Sequence, residues 1–270
     1  METESSDKAW AGGTGTVQAM IIDAHGYVGD SNIPRCSAAL LGCSVDEVLR
    51  YADQAGIDRT VIMPNRYHGY REANRIIADA VRAHPDRFIG FGKVDPAQDR
   101  QWRDTLRIAV EDHGLVGLGE FDLPGPYDKD PDLHEILDRC ADYRVPVMFH
   151  CENLGDAIQR EIQFAEGHPD TIVILGHMGM GMQWAAHRTC IRAAQELDNL
   201  YLEMSTVLVQ FTLKEAGEKV PDKLLFGSDT PCVNPKGELE RLRAMQFDRA
   251  TEQKVLSGNI SRILARRERE

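Results

Sequence analysis

Nowhere in this sequence are two cysteines spaced as Cys-x-x-Cys. Cys36, Cys43, Cys140, Cys151, Cys190 and Cys232 are dispersed, a pattern of reduced, mostly buried thiols with no disulfide framework. Long apolar runs are also absent, and the N-terminus METESSDKAWAGGTGTVQ is polar rather than signal-like. No membrane span or membrane partner is therefore expected, and the expected location is cytoplasmic. There is no basic stripe, and the net charge is −12, so nucleic acid is excluded as a partner. The glycines of AGGTGT are followed by no Gly-Lys-Ser/Thr and preceded by no strand. That rules out a phosphate loop and leaves residues 1–18 as a flexible tail.

What is present is ordinary for a soluble globular chain: 42% hydrophobic and 27% charged residues over 270 positions. That length suits one α/β barrel with a large core, here expected over residues 19–270. Eight short aliphatic segments recur: AMII, TVIM, RFIGF, LVGLGEF, VPVMF, TIVIL, LYLEM and KLLFGS. Most are apolar without alternation, as in parallel strands covered on both faces. From Ile22 in the first to Leu225 in the last is 203 residues over seven intervals, or 29 each, close to one βα unit. Amphipathic helices separate them. Ser44-Val45-Asp46-Glu47 is a capping box opening a helix that ends near Gly56, and helical spacing runs from Arg71 to Ala83 and from Asp132 to Tyr143. The expected fold is a parallel (β/α)8 barrel, with the stretch from Asp30 to Cys43 inserted after the first strand. An open doubly wound sheet would need a glycine-rich fingerprint after that strand, and none follows.

In such a barrel the chemistry gathers at the C-terminal ends of the strands. Strand one ends Asp23-Ala24-His25-Gly26-Tyr27, strand five ends at His150, strand six at His177 and strand eight at Asp229. One such residue alone is more often a strand cap than a ligand. Four on four strands at the same end point to a divalent first-row metal, zinc first, with an open position for water or substrate. His84 and His168 precede prolines at helix ends, and His113, His134 and His187 fall in or at the ends of helices, where packing or solvated roles are commoner. After strand two, Arg66 offers a carboxylate clamp and His68 a possible substrate contact, with loop exposure as the alternative for both.

The words MIIDAH, AHPDRFIGFGKVDP, GLVGLGEFDL, ILGHMG, LLFGSDTP and GNISRIL, in this order, resemble the amidohydrolase superfamily. The branch they resemble contains the decarboxylases of the aminocarboxymuconate-semialdehyde type, and the resemblance runs from about Met20 to Leu264. It implies metal ligation by His25, His150 and Asp229. It also implies that His177 polarises a water or substrate beside the metal, and that Glu120 either bridges metals or serves as an internal hydrogen-bonding carboxylate. The family's His-x-His on strand one reads His25-Gly26-Tyr27 here. Tyr27 shares a face with His25, so its phenol is left as a ligand, a donor to a metal-bound water, or a filler of the cavity. Glu203 and Glu152 add unassigned carboxylates and leave room for a second metal.

The function this implies is metal-dependent hydrolysis or non-oxidative decarboxylation of a small carboxylate-bearing molecule, with His177 and Asp229 handling protons. Two alternatives stand beside it. Harder donors at Tyr27, Glu120 and Glu203 suit iron or manganese and an oxygen-dependent hydroxylase, alone or as one subunit of a heteromer. The incomplete strand-one motif suits a catalytically reduced metal-binding partner of an active paralogue. A homodimer, or a hetero-oligomer with a related barrel, is the expected assembly.

Overall fold

The computed structural model describes residues 20–29, 43–65, 69–121, 131–152 and 156–267. The expected tail, most of the insertion after strand one, Cys36, Arg66 and His68 lie outside them. Eight strands alternate with helices: β1 (Ile22–Val28), β2 (Arg59–Pro64), β3 (Phe88–Gly90), β4 (Leu118–Phe121), β5 (Val147–Glu152), β6 (Val173–Gly179), β7 (Leu200–Glu203) and β8 (Leu224–Leu225). The helices that bear on the site are α1 (Val45–Ala55), α2 (Tyr70–Ala83), α3 (Trp102–Arg107), α4 (Pro131–Tyr143), α5 (Ala157–Gly167), α6 (Trp184–Glu196), α7 (Gln210–Lys219) and α8 (Pro235–Ala244).

All ladders are parallel, in two runs, β1-β2-β3 and β4 to β8 in order. The ladders are not continuous around the circuit, but both seams are spanned. Between β3 and β4, Gly92 donates to Gly117 O at 2.8 Å and Gly119 donates to Gly92 O at 2.9 Å. Between β8 and β1, Ala24 donates to Phe226 O and Tyr27 to Thr230 O, both at 2.9 Å. This is the expected (β/α)8 arrangement of a single chain of βα units.

Local signals act as read. Ser44 and Glu47 form the reciprocal capping box of α1, and Gly56 ends that helix at φ 71, a left-handed position that glycine takes without strain. His84 and His168 cap the ends of α2 and α5. His187 is buried, bonded to Thr212 Oγ1 at 2.8 Å, a packing role. Strand ends differ from expectation where the backbone is committed elsewhere. Val145 donates to Cys140 O at the end of α4, so β5 begins only at Val147. Phe226 donates to Val255 O, which takes the chain out of the β8 ladder after Leu225.

Two apolar layers result. Ala24, Val61, Met63, Ile89, Phe91, Met148, Ile174, Tyr201 and Leu225 form one buried cluster, drawn from alternate strand positions, and fill the barrel. The residues between them, with the inner faces of the helices, form the surrounding layer. The five described cysteines are free thiols. Among the described residues, no helix is long and apolar enough to cross a membrane.

Candidate metal centre

The strand ends bring the expected polar residues to one place. His25 is fully buried; its Nδ1 lies 2.9 Å from Glu203 Oε2 and its Nε2 lies 2.9 Å from the Tyr27 hydroxyl. That hydroxyl donates to Glu120 Oε2 at 2.5 Å. Glu120 Oε1 in turn lies 2.7 Å from His150 Nδ1 and 3.1 Å from His177 Nε2. His177 Nδ1 is 2.8 Å from Ser205 Oγ, and Ser205 donates to Glu203 Oε2 at 2.8 Å. Asp229 Oδ1 faces His25 Nε2 at 3.7 Å. His177 and Asp229 have φ values of 66 and 60, sparsely populated for residues with a Cβ. His177 lies in the last residues of β6 and Asp229 beyond the end of β8.

Close packing also selects glycine here. A Cβ on Gly176 would lie 2.9 Å from Phe149 O and 3.2 Å from Glu120 Oε1, and one on Gly227 would lie 2.3 Å from Glu203 Oε1. Larger residues would displace the carboxylates that the imidazoles need. At the root of the site, Asp23 accepts from the His25 and Ser228 backbone N–H groups at 3.1 and 2.8 Å and from the Ser228 hydroxyl at 2.5 Å. These bonds tie β1 to the end of β8.

The electrostatics follow from many charges in a dry space. Burial works against a charged His25, but Glu120, Glu203 and Asp229 outweigh it and raise the imidazolium to about 9. Burial also opposes ionisation of Glu120 and Glu203. The imidazoles nevertheless hold both below the usual carboxylate range: His150 and His25 act on Glu120, and His25 and His177 on Glu203. For Asp229 burial dominates over His25 and His177 and pushes the acid up to about 6. Asp23, more deeply buried, rises to about 7.

Donor chemistry tests whether a metal suits this set. Ser205 gives its hydroxyl proton to Glu203, so its oxygen can accept from His177 Nδ1, and His177 Nε2 faces Glu120 and His150. His25 Nδ1 is likewise held by a carboxylate, which leaves Nε2 for the interior. Imidazoles fixed from behind by an oxygen, with the far nitrogen facing carboxylates, are the arrangement of metal ligands. Ligating atoms of His25, His177 and Asp229 lie within 4.8 Å of one another, and so do those of Glu120, His150 and His177. The residues fit a divalent metal.

The family model described as Amidohydrolase matches residues 22–266. The chain belongs to the amidohydrolase family. Solved structures with the same fold include the 2,6-dihydroxybenzoate decarboxylase from Rhizobium. It is 20% identical over 91% of this chain and 98% of that one, with a TM-score of 0.70. A dihydroxybenzoic acid decarboxylase from Polaromonas, with bound manganese and the inhibitor 2-nitroresorcinol, is 19% identical over 91% and 97%, with a TM-score of 0.71. A probable 2-pyrone-4,6-dicarboxylic acid hydrolase from Acinetobacter baumannii, with citric acid bound, is 17% identical over 91% and 99%, with a TM-score of 0.68.

Within this amidohydrolase, His25, Tyr27, Glu120, His150, His177 and Asp229 all meet at one end of the barrel, as the sequence led us to expect. Arg66 and His68 lie outside the described residues. Glu203, left unassigned from sequence, holds His25 from behind. Asp23 and Ser205 were missed. A period-two count from Glu203 would have placed Ser205 on the same face.

Proposed function

We propose that this amidohydrolase is a metal-dependent hydrolase or non-oxidative decarboxylase of a small carboxylate. Its one divalent metal, manganese or zinc, would be taken by His25, His177 and Asp229 with Glu120 and His150 alongside. The observation that carries the reading is the convergence of the two ligand groups on His177. A manganese-bound decarboxylase and a citrate-bound hydrolase on the same fold support it.

When bound, the metal would polarise a substrate oxygen or lower the pKa of a water. The chain's own residues do the rest. Asp229 stands beside His25 at the mouth and can take a proton and return it, which both reactions need. Glu203 and Ser205 keep the two imidazoles in one tautomer and orientation. Burial of His25 and Glu203 keeps bulk water from this polar cluster.

Elemental analysis of protein purified without added metal tests the proposal, followed by turnover assays on small aromatic and aliphatic carboxylates. About one manganese or zinc per chain, with carbon dioxide release or hydrolysis, is expected. Iron with oxygen consumption would favour the hydroxylase instead, and absence of any metal would end the proposal.

A further inference from the structure

Among the described residues five large apolar side chains are exposed, and four of them lie together: Met182, Trp184, Leu208 and Phe211, at 67, 53, 52 and 55%. The fifth, Met20, stands before β1, at the opposite end of the barrel. Single exposed apolar residues are ordinary, but a contiguous group is often functional. Met182 and Trp184 follow β6, at the start of α6, and Leu208 and Phe211 follow β7, at the start of α7. Leu208 N–H donates to Gly181 O at 3.0 Å and ties the two loops. Arg188 spans the helices: its guanidinium is 5.9 Å from the Trp184 ring centre and 5.6 Å from that of Phe211, while its Nε donates to Glu215 at 2.8 Å. His187 holds the same corner from inside, bonded to Thr212 Oγ1 and Met180 O. The patch is thus held in shape, at the end of the barrel that carries the metal centre.

Area and charge decide what covers it. At those exposures the four side chains open roughly 450 Å² of apolar surface, and two copies face to face would hide roughly 900 Å² of it. A standard interface hides about 1,600 Å² in total, about 65% apolar in homodimers. One patch against its own copy therefore supplies most of the apolar part. The surrounding charge suits the same partner. The chain carries −12, so two copies repel over most of their surfaces. Over α6 and α7, however, Arg188, Arg192, Lys214 and Lys219 offset three glutamates, and most of these charges are paired with one another. A locally neutral surface with both signs can match itself, as a two-fold contact requires. A basic partner would find better attraction elsewhere on this acidic chain.

We propose that Met182, Trp184, Leu208 and Phe211 form the two-fold contact through which two copies of this chain pair. Trp184 and Phe211, stiff aromatics with an arginine beside both rings, are its anchors, and the charged residues of α6 and α7 are its rim. The contact borders the metal centre, because the loop that carries Met182 leaves β6 just after His177. It does not depend on the reaction performed there.

Sedimentation of the full chain over a range of concentrations tests this on wild type, Trp184→Ala, Phe211→Glu and, as a control, Met20→Ser, with far-UV circular dichroism to report folding. Wild type and Met20→Ser should dimerise with the same dissociation constant. Phe211→Glu should raise that constant ~100-fold or more and Trp184→Ala ~10- to 100-fold, since a two-fold contact feels each substitution twice. Hydroxyl-radical footprinting of the wild type gives a second reading that needs no variant. Met182 and Trp184 should be shielded in the dimer and oxidised once it is diluted apart. A wild type that stays monomeric overturns the proposal, as does a dimer that folded Phe211→Glu leaves intact. Equal shielding in dimer and monomer also overturns it, because another part of the chain would then cover the patch. So do assemblies that keep growing with concentration, since a two-fold contact closes.

Discussion

Glu203 Oε2 lies 2.9 Å from His25 Nδ1, and both side chains are fully buried. The same oxygen accepts from the His177 backbone N–H at 3.2 Å and from the Ser205 hydroxyl at 2.8 Å. One carboxylate on β7 thus orients the imidazoles of β1 and β6. Replacing it with an amide, Glu203→Gln, keeps the shape and removes the charge. Metal affinity should fall about 10- to 100-fold, as for other outer partners of ligating histidines. Chelator competition measures this, and unchanged affinity would show that Glu203 is only a core filler.

Asp229→Ala and His177→Ala should both strip metal while the far-UV circular dichroism survives, because the strand ends belong to the functional face of a barrel. The family resemblance gives His177 a role in polarising water, whereas the geometry makes it common to both ligand groups. Full metal retention in His177→Ala alone would return it to the former role.

Metal binding should be proton-linked. The His25 imidazolium is raised to about 9 and Asp229 to about 6, and a metal must displace those protons to reach the lone pairs. Below pH 9 the ligand-competent fraction of His25 drops, so the apparent dissociation constant should weaken roughly tenfold per unit of acidification, more steeply below 6. Titration with a metal indicator between pH 6 and 9 reads the slope. A flat profile would remove His25 from the ligand set.

Glu238, on α8, is buried, with Arg241 Nη1 at 3.2 Å as its cationic partner. Burial pushes its acid up to about 7 despite Arg241. A raised carboxyl pKa means that the folded state holds the proton more tightly. This contribution to stability is complete below about 4.5 and is lost as pH rises through about 7. Glu238→Gln removes the dependence. Relative to wild type it should gain up to ~3 kcal/mol on going from pH 4 to pH 8.5 in denaturant titrations. A gap between the two proteins that does not change with pH would rule the idea out.

The barrel and most of the site could be read from the sequence because they rest on local signals. His25, His150, His177 and Asp229 interrupt apolar strands at the same end, and Ser44 with Glu47 announces a helix by itself. What could not be read depends on distances between strands far apart in sequence. Glu203 stood out as a carboxylate, but its partner is 178 residues away. Asp23 ties β1 to Ser228, 205 residues away.

Tyr27 stands where the family pattern that the sequence resembles has the second histidine of His-x-His. The hydroxyl stands between His25 Nε2 at 2.9 Å and Glu120 Oε2 at 2.5 Å, touching one residue of each ligand group. Tyr27→Phe keeps the ring and removes that link. It should cost about 10- to 1,000-fold in metal affinity or rate, comparable to losing an outer ligand partner or an oxyanion donor. Near wild-type behaviour would instead mean that the ring alone matters. Tyr27→His restores the second imidazole on the same face of β1. It should raise zinc affinity, because a neutral imidazole is a better donor than a phenol that must first lose its proton. Unchanged or weaker zinc binding in Tyr27→His would show that the pocket is built around the phenol and its bond to Glu120, and that the missing histidine is a replacement rather than a loss.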